Sequence, residues 1–84
     1  MFSYGFKPSA VKELKKLPTD IQKRIIKKLN FFTSNDDPLI FADALVNSDL
    51  GSYRFRIGDY RVIFDLEEDM VVVLSVGHRR NIYR

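Results

Sequence analysis

The sequence predicts an α+β fold with the order β-α-α-β-β-β: a mainly antiparallel four-stranded sheet with two N-terminal helices on one face. Three observations predict it. Apolar residues recur at helical spacing between Ala10 and Phe32, they alternate from Tyr53 to Phe64, and a strongly apolar run fills Met70–Val76.

Phe2, Tyr4 and Phe6 alternate with Ser3, Gly5 and Lys7, the period of a strand with one apolar face. Pro8-Ser9 stops it and opens a helix. Ala10, Leu14 and Leu17 form the buried stripe of that helix, and Pro18 ends it. Thr19 and Gln22 have the spacing of a capping box for a second helix. Ile21, Ile25, Leu29 and Phe32 make its stripe, widened by Ile26. Ser34-Asn35-Asp36-Asp37-Pro38 breaks the pattern. Within residues 39–52, Phe41, Ala42 and Leu45 are expected at the core edge and Asn47–Ser52 as loop. Tyr53–Ile57 and Tyr60–Leu66 then read as a hairpin, with Gly58-Asp59 as a two-residue turn. Glu67-Glu68-Asp69 reads as a polar, solvated turn. Met70–Val76 is the last strand, closed by Gly77.

The 84 residues allow one domain, spanning 1–84, that buries about 60–65% of the surface its unfolded chain exposes. With 45% hydrophobic and 13% aromatic residues the chain can build a core, which excludes a disordered tail. The absence of cysteine excludes a disulfide framework and a thiol nucleophile. One histidine makes a zinc site improbable, and no cofactor or metal is expected. No apolar run is long enough to cross a bilayer, so the expectation is a soluble, cytoplasmic protein without a membrane partner.

The net charge of +3 is unevenly placed. Residues 1–34 carry +6, residues 35–52 carry −4, and residues 53–84 carry +1. All seven lysines end at Lys28, whereas six of the seven arginines start at Arg54. Lysines suit a solvated helix face; arginine offers a planar fork that grips phosphate at two points.

With Gly58-Asp59 as the turn, Ile57 pairs with Tyr60, Arg56 with Arg61, Phe55 with Val62 and Arg54 with Ile63. Tyr53, Phe55, Ile57, Tyr60, Val62 and Phe64 then share the core face, and Arg54, Arg56 and Arg61 share the other. Opposed like charges cost a fraction of a kcal/mol, roughly, and an anion would relieve them. Two readings stay open on these residues: an anion-binding face, or a solvated face partly compensated by Asp65 or Glu67. The end of the last strand falls beside Arg61 and brings His78, Arg79, Arg80 and Tyr83. A histidine there is either a proton-transfer group, its type having an ordinary pKa of about 6.5, or a surface residue. The tyrosine either stacks on a base or packs back onto the domain.

Three segments together resemble a known family. They are F-x-P-S-A-x-K-E-L-K-K-L-P at Phe6–Pro18, Y-R-F-R-I-G-D-Y-R-V-I-F at Tyr53–Phe64 and V-G-H-R-R-x-I-Y at Val76–Tyr83. In this order and spacing they resemble the RelE/ParE toxin superfamily, and more narrowly the RelE-type toxins of toxin–antitoxin pairs. Residues 35–52 match least. The resemblance implies a small α+β toxin that cleaves mRNA in the ribosomal A site without a metal. It further implies silencing by a small cognate antitoxin encoded nearby, in a complex that binds operator DNA. In such enzymes the ribose 2′-hydroxyl attacks the adjacent phosphate.

Residue by residue, the resemblance places Arg61 and Arg79 on the scissile phosphate and Tyr83 as the tyrosine that orients the RNA. Arg54 and Arg56 occupy paired basic positions that are lysines in well-known relatives, and Arg80 adds to the phosphate-binding set. Arginine does not deprotonate in proteins, so neither Arg54 nor Arg56 is an ordinary general base. His78 is the side chain with a suitable pKa, and the expectation is that it serves as acid/base inside a cradle of Arg54, Arg56, Arg61 and Arg79. Two other classes stay in view: a ParE-like protein that poisons DNA gyrase, and an inactive module that only binds its antitoxin.

Overall fold

The computed structural model describes residues 2–83. Strand β1 (Ser3–Phe6) leads into helix α1 (Pro8–Lys15), which begins on a proline whose missing N–H is no loss in a first turn. Helix α2 (Thr19–Thr33) follows at once. The expected capping box does not form: Pro18 precedes the helix and the Thr19 side chain makes no cap. Gln22 instead reaches backwards, its Nε2 donating to the carbonyl of Leu17 at 2.8 Å, in the short link between the two helices.

Next come a 3-10 turn (Pro38–Phe41) and a short strand β2 (Ala42–Ala44), then β3 (Tyr53–Ile57), β4 (Tyr60–Glu67) and β5 (Met70–His78). The sheet therefore has five strands, not the four expected, in the order β1-β5-β4-β3-β2. Only β1 is parallel, to β5. Three residues are too few to show a strand period, which is why β2 is silent in the sequence. Its position is held from the 3-10 turn: Asp37 accepts from the Leu39 N–H at 3.0 Å, and Phe41 stacks on Phe32 with ring centroids 4.9 Å apart.

The hairpin register is the expected one at all four pairs, and Gly58 has φ +60°, a conformation L side chains rarely adopt. The second turn is tighter than expected. Glu67 pairs with Met70, leaving Glu68-Asp69 as the loop, with Glu68 at φ 54°.

The core lies between helices and sheet. An aromatic stack runs through it from α2 to β4: Phe32 to Phe55 at 4.4 Å and Phe55 to Phe64 at 4.3 Å. Phe55, Phe64, Ile25 and Leu29 are fully buried, each contributing about 1.5–3 kcal/mol of transfer free energy.

The other face is not wholly open, contrary to expectation. Ile63 is fully buried there, under the loop that follows β2. A Cβ on Gly51 would lie 2.7 Å from Ile63 Cγ2 and 3.0 Å from Leu74 Cδ1, so only glycine lets that loop come so close. Leu45, expected at the core edge, belongs to this loop: its N–H donates to the Ser52 carbonyl at 2.9 Å.

One irregularity governs the site. Ile63 pairs with Ser75 but Phe64 with Val73, so Leu74 is an extra residue in β5. The bulge shifts the pleat by one: Val71 and Val73 face the core before it, Val76 after it. β5 also runs past Gly77, expected to close it, to His78.

Candidate functional site

Arg54, Arg56 and Arg61 share the sheet face away from the helices, with Arg56 directly opposite Arg61. Their compensation comes from neither Asp65 nor Glu67. The Asp65 carboxylate accepts the Ser52 N–H at 2.9 Å and fastens the covering loop. The counter-ion is Asp43 on β2, whose Oδ2 lies 3.1 Å from Arg54 Nε and 3.2 Å from Arg56 Nε. No sequence motif marks Asp43; a lone carboxylate between two alanines, after a breaker cluster, is its only trace.

Arg61 folds over the turn, one terminal nitrogen donating to the Gly58 and Tyr60 carbonyls at 2.9 Å each. Its remaining donors stay available beside Arg56.

Tyr83 joins this face. Its hydroxyl accepts from Arg54 Nη1 at 2.8 Å, and the Arg54 guanidinium carbon lies 6.0 Å from its ring centroid. The ring remains 46% exposed. The hydrogen bond to Tyr83, then that to Asp43, holds the Arg54 pKa above even the usual arginine value. Tyr83 is placed by its neighbour. Ile82 is buried, its Cδ1 3.3 Å from where a Cβ of Gly77 would be. The connecting turn is fixed by the His78 carbonyl, which accepts from the Asn81 and Ile82 N–H groups at 2.8 and 3.0 Å. Gly77 is thus the seat on which the tyrosine-bearing turn rests.

The remaining predicted residues sit at and just past the end of β5. Arg79 lies at the hairpin end, its N–H donating to the Asp59 carbonyl at 2.8 Å and its Nε 3.8 Å from Asp59 Oδ1. Arg80 is exposed. His78 ends the strand beside Arg61 but faces the other way. It pairs with Tyr60, and the two rings meet edge-on at 5.3 Å on the helix side of the sheet. The bulge at Leu74 puts it there; in an unbroken register His78 would fall on the arginine side. Its Nδ1 accepts the Arg80 N–H at 3.1 Å, so the neutral ring carries its hydrogen on Nε2. To act as a base at Nε2 it would have to change tautomer and give up that bond. It borders a separate cleft of about 600 Å³, shared with Glu13, Lys16, Tyr60 and Asn81. There Glu13 accepts from Ser75 Oγ at 2.9 Å and from the Val76 N–H at 3.2 Å, covering the edge of β5 that β1 leaves free.

Three guanidinium groups share a face with a half-exposed aromatic ring that one of them, Arg54, contacts, a chemistry suited to a phosphodiester and a stacked base. The chain is similar to known proteins along almost its whole length. The family described as ParE toxin of type II toxin–antitoxin systems, parDE, matches residues 4–83. The chain is 29% identical over 85 residues to Toxin RelG of Mycobacterium tuberculosis, covering 99% of this chain and 97% of the relative. It is 32% identical over 81 residues to Toxin RelE3 of Methanocaldococcus jannaschii, covering 93% and 91%. A solved structure, the toxin–antitoxin complex RelBE2 of Mycobacterium tuberculosis, superposes with a TM-score of 0.79 at 28% identity, covering 93% of this chain and 98% of the other. Together with the helix pair on a mostly antiparallel sheet, these matches show that the chain belongs to the RelE/ParE superfamily, the toxins of type II toxin–antitoxin systems.

Proposed function

We propose that this toxin is an endoribonuclease that cuts mRNA in the ribosomal A site and so stops translation. The observation that carries the reading is the convergence of Arg54, Arg56 and Arg61 with the Tyr83 ring on one exposed sheet face. In the reaction the 2′-oxygen forms a bond to phosphorus as the bond to the 5′-oxygen breaks. The 2′-hydroxyl proton is lost, a proton reaches the 5′-oxygen, and a 2′,3′-cyclic phosphate remains. No cofactor or metal enters this scheme. Charge builds on the phosphate oxygens along the way, and fixed guanidinium groups stabilise it more in the transition state than in the substrate. Each such donor is worth about 10²–10³ in rate. Arg79 and Arg80 extend the positive edge along the RNA path.

The cationic face comes first in this reading and His78 second. With its ring on the helix side, His78 reaches the phosphate only on RNA that bends round the end of β5.

The partner is a small cognate antitoxin with an acidic or amphipathic segment that orders on binding. Support comes from the relatives whose solved structures are toxin–antitoxin complexes. The resulting complex would bind operator DNA, and the site of action is the cytoplasm.

A second reading, gyrase poisoning, is favoured by the ParE description of the matching family. Expression in cells separates the two. The expected result is loss of protein synthesis with cut mRNA. Intact translation with altered supercoiling and a DNA-damage response would install the gyrase reading. Absence of any toxicity would leave an antitoxin-binding module.

A further inference from the structure

Three guanidinium groups on a two-strand ribbon repel one another, and long side chains left to themselves swing apart. Here Arg61 is folded onto the turn carbonyls, and the other two are held by one carboxylate. A single oxygen, Asp43 Oδ2, sits 3.1 Å from Arg54 Nε and 3.2 Å from Arg56 Nε. Contact at Nε holds each fork by its stem. The terminal nitrogens beyond are the ones that reach an anion, and in Arg54 one of them is already turned to the Tyr83 hydroxyl. Asp43 is itself held in place, because its backbone pairs with Arg54 in the β2–β3 ladder and β2 is anchored by the Phe41–Phe32 stack. The Arg56 side chain is 62% exposed and the Arg54 side chain 30%, so the tips remain open to a ligand while the stems are tied.

We propose that Asp43 is the positioning residue of the cationic face: it ties Arg54 and Arg56 at Nε so that their tips converge on one RNA phosphate. The reaction part of this proposal rests on the ribonuclease reading; the anion-binding part does not.

The sign of one substitution separates positioning from plain charge. Asp43→Asn removes the negative charge from the face and leaves it one unit more positive. If Asp43 acted only as a counter-charge, the variant would bind any polyanion more tightly and cleave RNA at least as well. If it positions the forks, binding to heparin tightens while RNA cleavage falls about ten- to hundredfold. Asp43→Glu, which keeps the carboxylate, recovers most of that loss. Asp43→Asn that cleaves as well as the parent, or Asp43→Glu no better than Asp43→Asn, overturns the proposal.

A second readout needs no catalysis. The Nε–H signals of Arg54 and Arg56 are followed by NMR while an oligonucleotide with 2′-deoxyribose at the target position is added. In the parent both signals move together; in Asp43→Asn they no longer do. Unchanged joint movement in the variant overturns the proposal even if activity has dropped. Should the parent protein cut no RNA under any condition, the ribonuclease reading fails, and this titration alone decides the role of Asp43.

Discussion

The two faces of the sheet are built on opposite terms. The helix-side face is an apolar stack, Phe32 on Phe55 on Phe64, whose members are almost entirely removed from water. The far face buries Ile63, Val72 and Ile82 singly and carries a set of charges held by individual contacts. Packing makes the first face cooperative and insensitive to small adjustments. Point contacts make the second face adjustable and sensitive to the placement of single atoms. On the proposed reading, stability belongs to the first and binding chemistry to the second, so a substitution can harm one while sparing the other.

The largest expected effect tests the packed face. Phe55→Ala leaves a cavity between two stacked rings and costs about 3–5 kcal/mol. A domain of this size has only about 4–13 kcal/mol in total. Urea unfolding should show the midpoint collapse; a loss under about 1 kcal/mol would break the division between the faces. Next is Arg61→Ala, expected to lower RNA cleavage about 10²–10³-fold. Its thermal midpoint should hold, since a half-buried charge opposite a like charge adds little to stability. If the protein unfolds instead, the arginine face is structural after all. Tyr83→Ala should follow, weakening binding to a single strand by about 1–3 kcal/mol through lost stacking. Tyr83→Phe should retain most of that binding, because the ring is kept and one hydrogen bond to Arg54 is lost; fluorescence anisotropy distinguishes them. The smallest effect is expected from His78→Gln. Its ring faces Tyr60, so its loss should lower cleavage less than Arg61→Ala does. A larger loss would show that RNA passes round the end of β5 and uses both faces.

What the sequence discloses follows the same division. The hairpin alternates strictly, its turn glycine demands positive φ, and so the register and the shared face of the three arginines are readable in advance. The apolar run from Met70 to Val76 does not alternate, so nothing in it announces the bulge at Leu74. That one unmarked residue decides which side His78 takes. β2 is equally hidden, being three residues long, and with it Asp43. Gln22 shows how a local motif can mislead: its spacing from Thr19 fits a cap on α2, yet its amide turns back to the Leu17 carbonyl in the link between the helices. Periodic features survive translation from sequence to structure because many residues vote for them; a bulge, a counter-ion or a cap depends on one.

The pairing of β1 with β5 has a consequence in time. The first strand has a single neighbour in the sheet, and that neighbour is the last strand. Chain growth at about 5–20 residues per second leaves β1 waiting on the order of several seconds for its partner. In that interval the helices have no complete floor to pack on, and Gly77, Ile82 and Tyr83 do not yet exist. The aromatic end of the cationic face is therefore the last part to be made. The order of the strands thus delays completion of the sheet, and of the cationic face with it, until the last strand and the turn after it have been made.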